Sequence, residues 1–510
     1  MKFSFLAIIT LVIIVVFFFN PFFLRGKLPI PSDTIVGLYH PFRDLFSKDY
    51  PNGIPFKNSL ITDPVRQQYP WRELAISLEK RLELPLWNPY NFSGTPLLAN
   101  MQSATLYPLN VLFFIFPFSL AWAILIVLEP LLGGLFLYFY LNNLKINKWA
   151  SLLGAISFAF CGFSVAWMEW GTLLHVVLWL PLALLSIDKI FFYLVSENSK
   201  LKTQNSKISI RQAQDPELIE GQVKSKNLLI WNIIFIFSLV SSFFAGHLQI
   251  FFYLYIFSTV YFLTRWIQFG KKKSILFLYL ILNTLYIILT SIQWMPTLQF
   301  ILLSARNIDQ IAWEKEGWFI PWQHLIQFIA PDFFGNPTTL NYWGVWNYGE
   351  FVGYVGVAPL IMAIYALFFR HDKKTFFFGV IFFISFMFSL PTILGKLPYI
   401  LNIPFLSTAQ PTRVLFITNF SLAVLAALGL DYFIRNRRGI FYPVLFVGII
   451  LLGLWAFVFF GNNVLSLSGD NLIIAKRNLY LPTSIFFVIT VLFVAHKFHS
   501  AIKFIGAQKI

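Results

Sequence analysis

The chain has 510 residues, of which 58% are hydrophobic and 12% charged; it contains 61 Phe, and its mean hydropathy is +0.70. That balance excludes an ordinary soluble multidomain protein and makes the membrane span the unit to count. The formal net charge of +16 is spread over many loops instead of one surface, which argues against a nucleic-acid partner, and the single Cys161 excludes an internal disulfide and a cysteine-based metal cluster.

A hydrocarbon crossing needs roughly 20 mostly apolar residues. About twelve stretches meet that need, over 4–24, 119–141, 149–168, 172–194, 228–245, 248–264, 274–294, 352–369, 375–391, 412–434, 440–460 and 480–496. The expected fold class is therefore an all-α polytopic membrane protein. The first stretch is longer than a signal-peptide core and has no small-x-small site after it, so it reads as a retained anchor. The connections "NNLKINK", "RWIQFGKKK", "RHDKK" and "RNRR" and the tail "HKFHSAIKF" carry the basic excess and alternate with the others, which predicts cytoplasmic N and C termini.

The outer loop 25–107 is the largest. Within it, "ITDPVRQQYPWRE" (61–73) gathers charge and aromatic rings and echoes "SDTIVGLYHPFRD" (32–44). The apolar stripe Trp71, Leu74, Ala75, Leu78 and Leu82 predicts an amphipathic helix that Pro85 ends. The run Leu109 to Phe118, bounded by Pro108 and Pro117, is too short to span and reads as re-entrant or interfacial. Loop 196–227 is polar, has no aromatic residue, and reads as a solvated cytoplasmic insertion. Loop 296–351 is the second large outer loop, with moderate outer connections near 392–411 and 461–479. Residues 1–434 form the expected core and 435–510 a C-terminal hairpin and tail.

Ionisable groups in a membrane are paired or functional. Asp33, Asp63, Arg66, Arg72, Glu169, His175, His247, Arg306, Asp332, Glu350 and Arg413 all fall at the outer side, while Glu129 lies deep in a span. Asp33 and Asp63 are candidate general bases toward a hydroxyl, and Arg66 and Arg72 candidate phosphate ligands. The structural alternative is that Asp63 caps the following helix while its Arg neighbours make surface pairs. Tyr69 turns the chain into that helix. Trp71, Trp87, Tyr90 and Tyr107 either stack on a sugar or anchor the interface, and His175 and His247 either meet a phosphate or pack. Cys161 reads as a small packing residue. No metal-ligand spacing, Gly-rich phosphate loop or nucleophile elbow is present, so a divalent metal is possible but not indicated.

The stretch "DPVRQQYPWRELAISLEKRLELPLWNPYNFSGTPLLANMQSATLYPLNVLF" resembles the first extracytoplasmic loop of YfhO-like bacterial membrane proteins, which have the GT-C glycosyltransferase architecture. "FAFCGFSVAWMEWGTLLHVVLWLPL", "FFAGHLQIFFYLY", "IAPDFFGNP", "GEFVGYVG" and "PFLSTAQPTRVLF" look similar too, extending the resemblance over about 30–430. It implies an enzyme of the bacterial cytoplasmic membrane that moves a sugar from a polyprenyl-phosphate carrier to a polysaccharide, glycolipid or protein acceptor of the cell envelope. Inversion is implied, with an acid of the first outer loop, Asp33 or Asp63, as base. Arg413 falls in the last of these pieces and is placed with the substrate-binding residues. The rival reading is a lipid or glycolipid flippase, which Glu129 beside Pro130 favours.

Overall fold

The structure, a computed structural model, is described for residues 4–51, 58, 60–204, 216–303, 312–404, 406–437, 439–465 and 468–507. Its long helices follow the apolar runs: α1 (Phe5–Phe18), α2 (Tyr69–Glu79), α3 (Phe118–Asn143), α4 (Lys148–Ala159), α5 (Leu180–Gln204), α6 (Pro216–Phe244), α7 (Leu248–Gln268), α8 (Lys273–Leu302), α9 (Val357–Phe369), α10 (Lys373–Ser389), α11 (Leu415–Asn436), α12 (Phe441–Leu465) and α13 (Gly469–Ala507). Among the described residues, nine helical segments are long and apolar enough to cross a membrane, or ten if α10 and the helix Ile393–Ile400, bent by 61°, make one span. Two of the expected stretches, α1 and α9, form shorter apolar helices. The only strands among these residues are the paired two-residue β1 (Trp87–Asn88) and β2 (Thr95–Pro96).

Packing is graded around α11. Its most apolar window is 94% buried inside the protein, whereas that of α13 is 11% buried and faces outward. Small residues permit the central position, because without water to exclude, close backbone approach and dispersion hold membrane helices together. A β-carbon at Gly429 would overlap the Met362 carbonyl of α9, and one at Gly154 of α4 would meet the Ala423 carbonyl and Ala427 of α11. α1 packs through Ala7 and Leu11 against Tyr138, Leu152 and Ala155. α12 and α13 seat Leu454, Val458, Ala475 and Leu479 on Ala330, Phe333 and Phe334 of the second outer loop.

Several expectations are corrected. α2 ends at Glu79, six residues before Pro85, and buries Arg72, Ala75 and Ile76, while the expected core residue Leu82 is 96% exposed with φ 61°. The polar insertion is helical at both ends, since α5 runs to Gln204 and α6 starts at Pro216; residues 205–215 lie outside the description. The moderate connections are shorter than expected: Ile393–Ile400 is helical, and α12 and α13 extend to Leu465 and from Gly469. The stretch 149–168 is broken at Cys161, whose sulfur accepts from the Ser164 amide, while the Gly162 amide donates to the Tyr354 carbonyl at 2.6 Å. The segment 352–356 is not helical, and Ser157 Oγ donates to the Val355 carbonyl at 2.7 Å. The run after Pro108 forms a short 3-10 turn and the helix Leu112–Ile115 before α3, in keeping with a segment that does not span.

The loop 25–107 is not a surface appendage. Residues Leu97, Leu98, Ala99, Met101, Ser103, Ala104, Thr105 and Tyr107 are buried. Gln293 and Thr297 of α8 donate to the carbonyls of Leu98 (3.3 Å) and Ala99 (3.0 Å), and Asn110 Nδ2 donates to those of Ala104 and Thr105 (2.7 and 3.0 Å). These side chains satisfy backbone groups that a loop inside an apolar bundle would otherwise leave bare.

Gly429→Val should lower the thermal midpoint of the detergent-solubilised protein by the cost of overpacking, about 1–3 kcal/mol. Gly453→Val, where no heavy atom lies within 4 Å of a built β-carbon, should leave it unchanged; equal midpoints for both variants would contradict the central position of α11.

Candidate functional site

Two polar clusters mark the two ends of the bundle. His247 caps the start of α7 and Arg265 lies near its end; Arg413 precedes α11 and Asp431 lies near its end. In each case the two residues are 18 positions apart, or ~27 Å of helix at 1.5 Å per residue, close to the thickness of a hydrocarbon core. At one end Asp188 accepts from Arg265 Nε (2.7 Å) and Tyr261 (2.9 Å), and Asp431 pairs with Arg370 (3.1 Å) and Arg435 (2.9 Å). Asp188 and Asp431 sit inside expected spans, so the expectation that the paired charges gather at one face only is corrected.

At the other end, the one expected to face outward, Glu350, Arg413 and His247 form a chain. Arg413 donates from Nε and Nη2 to Glu350 Oε1, both at 2.9 Å, and from Nη1 to His247 Nε2 at 2.8 Å. A guanidinium only donates, so this imidazole nitrogen carries no proton. Thr412 Oγ1 donates to Glu350 Oε2 at 2.6 Å, and the guanidinium lies 4.6 Å from the Trp167 ring, whose Nε1 donates to the Gly349 carbonyl. The donors of Arg413 are thus already directed at Glu350 and His247, and a phosphate approaching it has to share them. Trp167 did not stand out in the sequence; its signal was the Trp167–Trp170 pair beside the break at Cys161, now 4.7 Å apart between ring centroids.

A second group is sealed. Arg72 has no exposed surface; its Nη2 donates to the Gly171 carbonyl at 3.2 Å, its Nε reaches the Ser103 carbonyl at 3.5 Å, and its guanidinium lies 5.4 Å from the Trp122 ring. Burial pushes its pKa down to about 10, with Tyr107 and Glu129 pulling the other way. His175, also buried, meets the Tyr107 hydroxyl at 2.9 Å through Nδ1 and Glu129 Oε1 at 3.5 Å through Nε2. Burial likewise raises the Tyr107 phenol. Arg72, His175 and Tyr107 are therefore enclosed where the outer loop enters the bundle. As candidate phosphate or sugar contacts they are corrected: none has surface to offer a ligand.

The third group is accessible. Asp33 begins the short helix Asp33–Leu38 and is half-buried. Asp63 starts the turn into α2 in helical geometry but makes no cap hydrogen bond, so the capping alternative does not hold. Arg66 is exposed and lies 5.5 Å from the Tyr39 ring, which brings the two echoed segments together. Tyr69 packs edge-on against Phe118 (4.7 Å) and near Trp122 (5.2 Å), an anchor for α2. Trp87 is 53% exposed in β1, and Tyr90 is exposed beyond it. Glu169 is half-buried; Asp332 accepts from Tyr348 (2.7 Å) and Asn336 (2.9 Å) within the loop that follows α8. Arg306 lies outside the described residues. Among those residues no group of three or more His, Cys, Asp and Glu could hold a metal ion.

Arg72→Ala should cost about 3–5 kcal/mol of stability, because a buried charge cluster loses a partner, and Arg72→Ala with Glu129→Gln should cost less than Arg72→Ala alone; additive losses would contradict the pairing. Burial pushes Glu79 up to about 7 from an ordinary 4.5, so its protonated form favours the folded loop. That contribution is complete below about 4.5 and is lost as pH rises through 7. Hydrogen exchange in α2, corrected for intrinsic rates, should show more protection at pH 5 than at pH 8, and Glu79→Gln should remove the difference. Comparison of the chain with protein-family models, with curated proteins and with solved structures returned no match.

Proposed function

We propose that this multi-pass membrane protein is a glycosyltransferase of the bacterial cytoplasmic membrane, with its termini cytoplasmic. It takes a sugar from a polyprenyl-phosphate carrier and adds it to an acceptor of the cell envelope on the extracytoplasmic face. The observation that carries the reading is Asp63: a half-exposed carboxylate with no hydrogen bond or ion pair among the described residues, one helical turn before the exposed Arg66. A carboxylate with no hydrogen-bond partner, beside an exposed guanidinium, suits proton abstraction next to an anionic leaving group.

In this reading Asp63 or Asp33 accepts the proton of the acceptor hydroxyl. The hydroxyl oxygen attacks the anomeric carbon as the bond to the carrier phosphate breaks, and inversion follows from in-line displacement. Arg66 meets the carrier phosphate, and Arg413, held by Glu350 and His247, is a second guanidinium that can share its donors with it. Trp87 and Tyr90 offer rings to a sugar or to the interface. The resemblance in the first outer loop supports the same assignment.

A lipid or glycolipid flippase is the second reading, favoured by the buried Glu129 directly before Pro130 in α3. The enclosure of Glu129 by Arg72 and His175 favours the first, since a transport path needs its polar residues to meet cargo.

In proteoliposomes with radiolabelled polyprenyl-phosphate sugars and an envelope-acceptor fraction, Asp63→Asn or Asp33→Asn should lower transfer by at least about 10²-fold, the usual scale for a general base, at unchanged folding. Arg66→Gln should raise the carrier concentration needed for half-maximal rate. Full activity in both Asn variants would remove the outer acids from the mechanism.

A further inference from the structure

At the opposite end of the bundle, near Arg265 and Asp431, a cleft of about 810 Å³ opens between the end of α7 and the start of α10. Its size falls within the range of small-molecule sites, and its lining is divided. One part is polar and cationic, with Gln268, Arg370, His371 and Lys373; the other is apolar, with Phe376, Val380 and Phe383.

The cationic part has charge to spare. Arg370 is committed to Asp372 (2.8 Å), Asp431 (3.1 Å) and the Leu428 carbonyl (2.8 Å). Asp372, the one acid in the lining, is occupied by Arg370 and by the Thr375 amide and hydroxyl (2.8 and 3.0 Å). His371 and Lys373 are exposed and make no hydrogen bond or ion pair among the described residues. They are the groups left to meet an anion.

The apolar part continues from them down one face of a helix. Phe376, Val380 and Phe383 recur at four and three positions along α10, the spacing of a single stripe. They stay open within the protein, with Phe376 75% and Phe383 58% exposed. On a spanning helix that stripe faces hydrocarbon, and the cations stand where the helix reaches the membrane surface. An anionic head above an acyl chain matches both parts at once. A soluble anion would use the cations alone.

We propose that this cleft binds an anionic phospholipid of the leaflet on the basic side. Lys373 and His371 meet the phosphate, and one acyl chain lies along Phe376, Val380 and Phe383. Cationic pockets between helices on the basic side of a membrane protein attract such headgroups.

The test uses the purified full-length chain in mild detergent, with bound lipid counted by native mass spectrometry after addition of phosphatidylglycerol or phosphatidylcholine with identical acyl chains. Phosphatidylglycerol should be retained several-fold over phosphatidylcholine. Lys373→Gln should cut its retention about fivefold, the effect of one cation at a membrane surface, and leave phosphatidylcholine unchanged. Phe383→Ser should lower retention of both lipids, and Lys476→Gln, outside the cleft, should change neither. Equal retention of the two lipids, or a Lys373→Gln variant indistinguishable from the original, would overturn the proposal. Competition by glycerol 3-phosphate at the same concentration as the lipid would also overturn it, by assigning the cleft to a soluble phosphate ester.

Discussion

A guanidinium cannot remain alone in an oily interior, and Arg72 is wholly inside this one. Its cost is offset in part by the Gly171 and Ser103 carbonyls, the Trp122 ring and the field of Glu129, while Nη1 makes no hydrogen bond. The partners come from several parts of the chain, so satisfying one charge fixes α2, the buried turn at Ser103, the turn at Gly171 and α3, which carries both Trp122 and Glu129, relative to one another. Tyr107 and His175 extend the same network by one more hydrogen bond. The loop 25–107 is thereby part of the bundle, and Asp63 and Arg66, nine and six residues before Arg72, are held at a defined edge of it.

The membrane imposes the second constraint. Backbone groups and charges inside hydrocarbon need partners within the protein, and ion pairs stand at the two ends of α7 and α11 with uncharged residues between them. Glu350 with Arg413 at one end and Asp188 with Arg265 at the other leave the centre to Ala423, Ala426, Ala427 and Gly429, whose small side chains let α11 sit among its neighbours. The two ends differ in chemistry as well as in architecture. One end combines exposed acids and aromatic rings on a large ordered loop, and the other presents unengaged cations above an apolar stripe.

Much of the helical architecture was legible in the sequence because uninterrupted apolar runs admit no other spanning structure. The boundaries were less so. Cys161 breaks an apolar run without a proline, since the break is made by a cap and by the close approach of the Tyr354 backbone, both tertiary features. The buried face of α2 differs from the expected stripe: Arg72, which lies outside that stripe, has no exposed surface, and the buried positions are Arg72, Ala75 and Ile76. The interior course of residues 97–107 was likewise hidden by its Asn, Ser and Thr content, which reads as a surface turn until Gln293, Thr297 and Asn110 are seen to satisfy it. Of the candidate site, Arg413 and His247 do meet, Arg66 lies near the Asp33 segment through Tyr39, and Arg72 and His175 are enclosed.

The proposed chemistry requires the carrier phosphate to reach the exposed edge formed by the first outer loop. A polyprenyl-phosphate sugar bearing a photoreactive group beside the phosphate, crosslinked in proteoliposomes and mapped by peptide mass spectrometry, measures this directly. Labelling concentrated between residues 32 and 92, and competed by unmodified carrier, is the predicted result. Labelling confined to α3 around Glu129, or to the basic end near Lys373, would contradict the account.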